Sequence, residues 1–340
     1  MGGAAVGGYL LTALPSWTRA PRVAPQTVRA LTLSWVLARL ALPLSAILPV
    51  GLLRAIALGY FVALCLTLAR HLIAAKVWKR LWVVGAVGGM ALGDAGLLAN
   101  MREGNDASAG PLVVVLMFAF LISMIGGRAV PAFTRSWLQG MAPMRVVRDN
   151  RGFAAASPVA ILAGGGLVLA GQATAAGFFL LLAGSLLGLR SLGWQGLHVW
   201  HSPALLMLHL AWLWLPAGLI LVGTALLHPQ DLPMASAVHA VTMGAMGTMI
   251  LAIAGRAAMV RHGDRLMAGP DLLLAFALVW SAALQRVLAP FVPSYWPDPV
   301  ATSAALWMLG WSIFLWAYRR ALQGALPFPI FSARRHGPAA

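Results

Sequence analysis

Charge is what this chain has least of. Only 9% of its 340 residues are Asp, Glu, Lys or Arg, and the acids are one Glu and seven Asp. A soluble domain carries about 25% charged residues. Hydrolysis built on paired carboxylates has little to work with, and no Ser/His/Asp triad, Walker loop or zinc signature is present. Cysteine is nearly absent. Cys65 stands alone inside an apolar run, which excludes an internal disulfide and reads as a small packing residue. With no Cys-x-x-Cys-His sequence, any haem is held non-covalently. No Lys or Arg precedes the apolar residues 2–14, so a secretory signal fits poorly.

What the chain does have is apolar length. It is 61% hydrophobic, with a mean hydropathy of +0.84. Eleven apolar segments run at 2–16, 30–47, 50–70, 80–99, 111–127, 155–171, 174–191, 203–225, 236–255, 270–289 and 299–318. Runs of about 20 residues match the thickness of a bilayer. There the backbone must satisfy its own hydrogen bonds, so each run is a helix. The expected fold is all-α: a polytopic integral membrane helical bundle of about eleven transmembrane segments. It forms one domain over 1–325, followed by a short cytoplasmic tail at 326–340.

The net charge is +16, but no contiguous basic face is visible, which argues against nucleic acid. Instead, 20 of the 24 Lys and Arg fall on alternate connections. That bias sets orientation and predicts a multi-pass protein with its C-terminus in the cytoplasm. The exceptions are Arg54, Arg102 and Arg286 on the other side, and Arg39 within a span. The longest connection, Pro131–Ala154, reads as a basic cytoplasmic surface loop. Gly85, Gly89 and Gly93 form a stripe of spacing four that suits close helix packing. Pro216 is expected to kink its segment. Arg39 and Asp94 lie inside spans at different depths, and each needs a partner or a cavity.

The segment His239–Arg265, HAVTMGAMGTMILAIAGRAAMVRHGDR, carries the most chemistry. Neutral imidazole is a common haem and copper ligand, and Met243 follows His239 at i+4 on the same face. An intramembrane ionisable residue points to function; the competing reading is a hydrogen-bonded histidine among packing methionines. His209 lies six residues inside its own segment. With a rise of 1.5 Å per residue and a core of about 30 Å, His209 and His239 differ in depth by roughly 15 Å. They should not share one metal. Arg128, in GGRAVP, and Arg256 both fall at the inner boundary. Each can pair with propionates or phosphates, or serve only as a positive-inside anchor. His262 ends the segment in a basic turn that could reach an anion. His198 and His201, spaced by three, lack a third ligand. His71, His228 and His336 read as loop or boundary residues.

Three motifs in order, IGGRAVPAFT, LLMLHLAWLWLPAGL and HAVTMGAMGTMILAIAGRAAM, resemble those of the NnrS family. The opening GGYLLTALPSWT resembles the end of that family's second helix. The resemblance spans nearly the whole chain. It implies a bacterial inner-membrane protein of twelve helices that contains haem and copper and is linked to nitric oxide metabolism and protection from nitrosative stress. It carries over His209, His239, Arg128 and Arg256 as cofactor-binding positions, with His262 in the same motif. The family's first helix, and the tryptophan–histidine–glutamate motif that opens its second, are not in this chain. The resemblance thus implies an outer site that pairs His239 with that motif and has lost a ligand here.

The resulting expectation is a haem-binding protein, with copper as a second candidate, that meets nitric oxide or a nitrosylated small molecule and has no defined catalytic activity. Its metal ligands are drawn from His239, His209 and Met243. The alternatives are a metal-free permease, suited by the mid-span charges and glycines, and a structural remnant without cofactor.

Overall fold

A computed structural model describes residues 2–41, 43–44, 47–103, 109–142, 144–262, 265–292 and 298–323. Asp264, His336, Arg334, Arg335 and the tail at 326–340 lie outside them. The side chain of His262 is likewise not described.

Each of the eleven apolar segments is helical. The helices are α1 (Gly2–Thr18), α2 (Pro25–Ala41), α3 (Val50–Ala74), α4 (Trp82–Glu103), α5 (Gly110–Met141) and α6 (Arg151–Leu169). They continue with α7 (Ala173–Leu192), α8 (Pro203–Leu227), α9 (Met234–Gly255), α10 (Pro270–Leu288) and α11 (Pro299–Leu322). Eight helices among the described residues, α3 and α5 to α11, are long and apolar enough to cross a membrane. α1 and α2 have 17 residues each, and α4 carries Asp94, Arg102 and Glu103. One departure from all-α is a small hairpin after α9. There Val260–His262 pairs antiparallel with Arg265–Met267, Val260 opposite Met267.

Local chemistry explains several helix ends. Pro203, Pro270 and Pro299 stand in the first turns of α8, α10 and α11, where a missing N–H costs nothing. The Asp298 carboxylate accepts from the backbone of Val300 at 3.2 Å and Ala301 at 3.1 Å and caps α11. Pro131, Pro158 and Pro216 sit inside α5, α6 and α8. α5 is the largest correction to the sequence reading. It does not stop near Gly127 but runs on through Pro131 to Met141, and α6 begins at Arg151. The expected 24-residue surface loop therefore shrinks to 142–150.

The chain divides into two compact units, 1–121 with 168–171, and 122–167 with 172–340. In the first, α3 is the central helix, with Leu64, Leu68 and Leu72 fully buried. Its Tyr60 hydroxyl donates to the Gly3 carbonyl of α1 at 2.7 Å, and Cys65 donates to the Val84 carbonyl of α4 at 3.6 Å. Part of the glycine stripe of α4 is used as expected. A side chain on Gly89 or Gly93 would run into Met117 or Val114 of α5, whereas Gly85 faces open space. Arg39 and Asp94, which the sequence reading set at different depths, come within 4.0 Å of one another.

The second unit holds its helices together through glycines. Gly177 and Gly223 press α7 onto α8 so closely that an added Cβ on either would stand 2.9 or 2.7 Å from the other's carbonyl. Gly184 meets the Pro216 carbonyl in the same way, at 2.7 Å. Without a hydrophobic force between helices in lipid, such close contact is what makes them adhere. α10 and α11 pair through Gly310 against Val279, and through the Ser303 hydroxyl, which donates to the Ala282 carbonyl at 2.8 Å.

Candidate functional site

The helix that carries His239 is not uniform. It is α-helical over Met234–His239, π-helical over Ala240–Gly247, and α-helical again over Thr248–Gly255. π-turns are rare and concentrate at functional sites. Here the widened stretch is gripped between two indoles. A Cβ on Gly244 would lie 2.5 Å from the Trp214 ring of α8, and one on Gly247 would lie 2.6 Å from the Trp307 ring of α11. Trp214 in turn meets Trp280 of α10, with ring centroids 5.5 Å apart.

His239 is half-buried at the head of this stretch. Its Nδ1 lies 2.5 Å from the Ala235 carbonyl, and its Nε2 lies 3.4 Å from Arg286 Nε of α10. A carbonyl only accepts and a guanidinium only donates, so Nδ1 donates to Ala235 and Nε2 accepts from Arg286. Met243 is half-buried on the same π-stretch.

His209 is placed quite differently. It is buried in α8, and its Nε2 lies 2.9 Å from the hydroxyl of Thr134. That hydroxyl spends its one proton on the Val130 carbonyl at 2.8 Å. It therefore accepts from His209, whose proton is on Nε2. The other nitrogen faces Gly196, where a Cβ would stand 2.9 Å from Nδ1. Thr134→Val leaves this buried N–H without an acceptor. The expected loss is about 1–2 kcal/mol, read as a lower thermal midpoint in detergent.

The packing of α8 on α9 fixes the spacing of the two histidines. Gly218 meets Val241 side to side. His209 lies nine residues before Gly218, and His239 two residues before Val241. The helices are joined by a short turn and run antiparallel, so the offsets add to about 16 Å along the axis. One metal cannot take both.

The inner end of this unit gathers other residues singled out by sequence. Arg256 is buried with its guanidinium 4.0 Å from the centre of the Phe133 ring, next in sequence to Thr134. Arg128 is exposed. His198 accepts from Arg145 at 2.5 Å, while His201 stacks on Trp200 at 3.6 Å, so these two do not converge.

Sequence reading missed the strongest polar cluster. Arg190 had counted only as a topology charge. It is buried, and it holds Asp149 through two bonds of 2.7 and 2.9 Å while also donating to the Gly127 carbonyl at 2.6 Å. Trp194 donates to the same carboxylate at 3.0 Å, and the Arg148 amide donates to the Gly193 carbonyl at 2.9 Å. Partial burial pushes the Asp149 carboxyl up, but hydrogen bonds from Arg190 and Trp194, with the charges of Arg190 and Arg135, outweigh it and hold it below the usual 3.8. Gly126 and Gly127 are the visible trace of this cluster, since they admit Trp212 and Arg190 against α5.

Among the described residues no three His, Cys, Asp or Glu side chains converge on a point. The donor set nonetheless fits one axial ligand of a haem. His239 anchors Nδ1–H on a backbone carbonyl, the arrangement that orients metal-bound histidines, and keeps Nε2 as its only lone pair. His209 fits less well, because Thr134 takes the proton on one nitrogen and Gly196 crowds the other.

The NnrS family model, described as NnrS protein, matches residues 1–325. The chain belongs to the NnrS family. No curated protein and no solved structure matches it. As an NnrS-family chain with eight helices suited to a bilayer, it is a multi-pass membrane protein linked to the nitric oxide response.

Proposed function

We propose that this NnrS-family protein binds haem non-covalently in the bacterial inner membrane, with its C-terminus cytoplasmic, and meets nitric oxide there. The observation that carries the reading is the hydrogen bonding of His239. Its Nδ1–H is anchored on Ala235, and its Nε2 lone pair is opposed only by a long contact to Arg286. A bound haem would supply an iron able to take nitric oxide. His239 Nε2 would hold that iron, with the ring oriented by the Ala235 carbonyl. Copper would take His239 and Met243 only with Arg286 displaced from Nε2. His209 is then structural, because it ties α8 to α5 through Thr134. Arg256, beside Phe133, steadies an anionic group at the inner end, and exposed Arg128 serves the membrane surface. No catalytic turnover is assigned.

The test is the Soret spectrum of the purified protein with and without His239→Ala. We expect the band to shift or disappear in the variant. An unchanged spectrum removes His239 from the site.

One observation favours a metal-free permease instead. Arg39 and Asp94 pair at 4.0 Å within helices, and among the described residues the buried Arg39 Nε has no hydrogen-bond partner. Paired charges of this kind mark transport paths. Metal analysis after gentle purification separates the two readings, because a protein free of iron and copper supports transport.

A further inference from the structure

Arg286 is a cation in the last turn of α10, half-buried. Among the described residues it forms no ion pair, and its one hydrogen bond is to His239 Nε2 at 3.4 Å. Its neighbour Gln285 is turned to the Thr302 hydroxyl at 2.6 Å and is not available to it. Asp298 is engaged at the start of α11. Among the described residues no carboxylate lies within ion-pair distance of the guanidinium, which sits against the one nitrogen of His239 that can bind a metal.

Two consequences follow from elementary electrostatics. Any metal at Nε2 must first displace the guanidinium, because one lone pair cannot serve both. The displaced arginine remains tethered a few ångströms away, where its charge opposes a bare cation in a partly dry site. A centre that brings its own negative charge meets the opposite situation, since guanidinium favours carboxylates.

Building on the haem reading above, we propose that Arg286 is the specificity-determining residue of the His239 site: it excludes a bare copper ion and admits haem, whose carboxylates offset its charge. Sequence reading had looked to Arg128 and Arg256 for propionates. Arg256 lies seventeen residues along α9 from His239, about 25 Å at an ordinary helical rise, and belongs to the other end.

The test uses the full-length metal-free protein in detergent, titrated separately with cuprous ion against a chromophoric chelator and with haem by its Soret band. Arg286→Gln should raise copper affinity on the order of 10- to 100-fold and leave haem affinity equal or lower. Arg286→Lys keeps the charge and should stay near wild type for copper, which separates charge from packing. The gain should vanish in the double variant His239→Ala/Arg286→Gln. Equal copper affinity in wild type and Arg286→Gln overturns the proposal, as does a gain that survives loss of His239. Failure of the haem reading shows separately, as a Soret band indifferent to His239→Ala.

Discussion

Replacing Asp149 with alanine lowers stability by about 3–5 kcal/mol, because it strands the buried Arg190 guanidinium without its counter-charge. Arg190 has 4% of its side chain exposed, against 26% for Asp149, so the arginine has no alternative access to water. The measurement is the midpoint of thermal unfolding in detergent. The double variant Asp149→Ala/Arg190→Met is the discriminating control. It removes the charge along with its partner and should recover a large part of the loss. A single variant no worse than the double would show that the stranded Arg190 charge is not what costs stability. The pH dependence has a definite sign. The Asp149 carboxyl is held below its ordinary 3.8 in the folded protein, so its contribution is fully present above that value. The contribution is lost as pH falls through the still lower folded value. Wild type should therefore lose stability in acid more steeply than Asp149→Ala, and the two should differ most near neutrality.

The pair also explains a feature of the fold that local sequence hides. Glycines, two prolines and several arginines between residues 126 and 151 have the composition of a loop. α5 nevertheless continues through Pro131, since lipid forbids exposed backbone and neighbouring groups can re-satisfy what a proline frees. Its far turns are paid back in contacts: Thr134 meets His209, Phe133 meets Arg256, and Leu138 is almost fully buried. The remaining connection is clamped from 41 residues away by Arg190. Nothing within one window of the chain signals a bond of that span.

The same physical limit divides the candidate site. The helices are legible because a span must be long and apolar enough to cross a bilayer, and that requirement is written in consecutive residues. The depth difference between His209 and His239 is legible for the same reason, as it follows from position along two helices. What meets a histidine nitrogen is not legible. Thr134 and Arg286 lie 75 and 47 residues from their partners. Arg286 stood out only as one of three Lys or Arg on the wrong side of the topology count. The π-winding of α9 was also hidden, although both glycines that border indoles are visible in the sequence.

That winding supports the second large effect. Gly244→Val should lower stability by about 3 kcal/mol, the upper end of the cost of overpacking. A Cβ at this position meets three atoms of the Trp214 ring between 2.5 and 2.7 Å, and an indole is flat, stiff and here held against Trp280. The clash cannot be relieved at the tip of a flexible chain, so either α9 moves off α8 or Trp214 leaves its place. Trp214→Leu in the same chain should restore part of the lost midpoint by giving the added methyls room. Gly166→Ala in α6 faces open space and should be neutral or slightly stabilising, as alanine favours a helix over glycine. His239 opens the stretch that Gly244 keeps against α8, so if the protein binds haem through His239 as proposed, Gly244→Val should also weaken the Soret band at a temperature where the protein is still folded. A variant that keeps both midpoint and Soret band would show that α9 can leave Trp214 freely, and that the grip of the two indoles does not position His239.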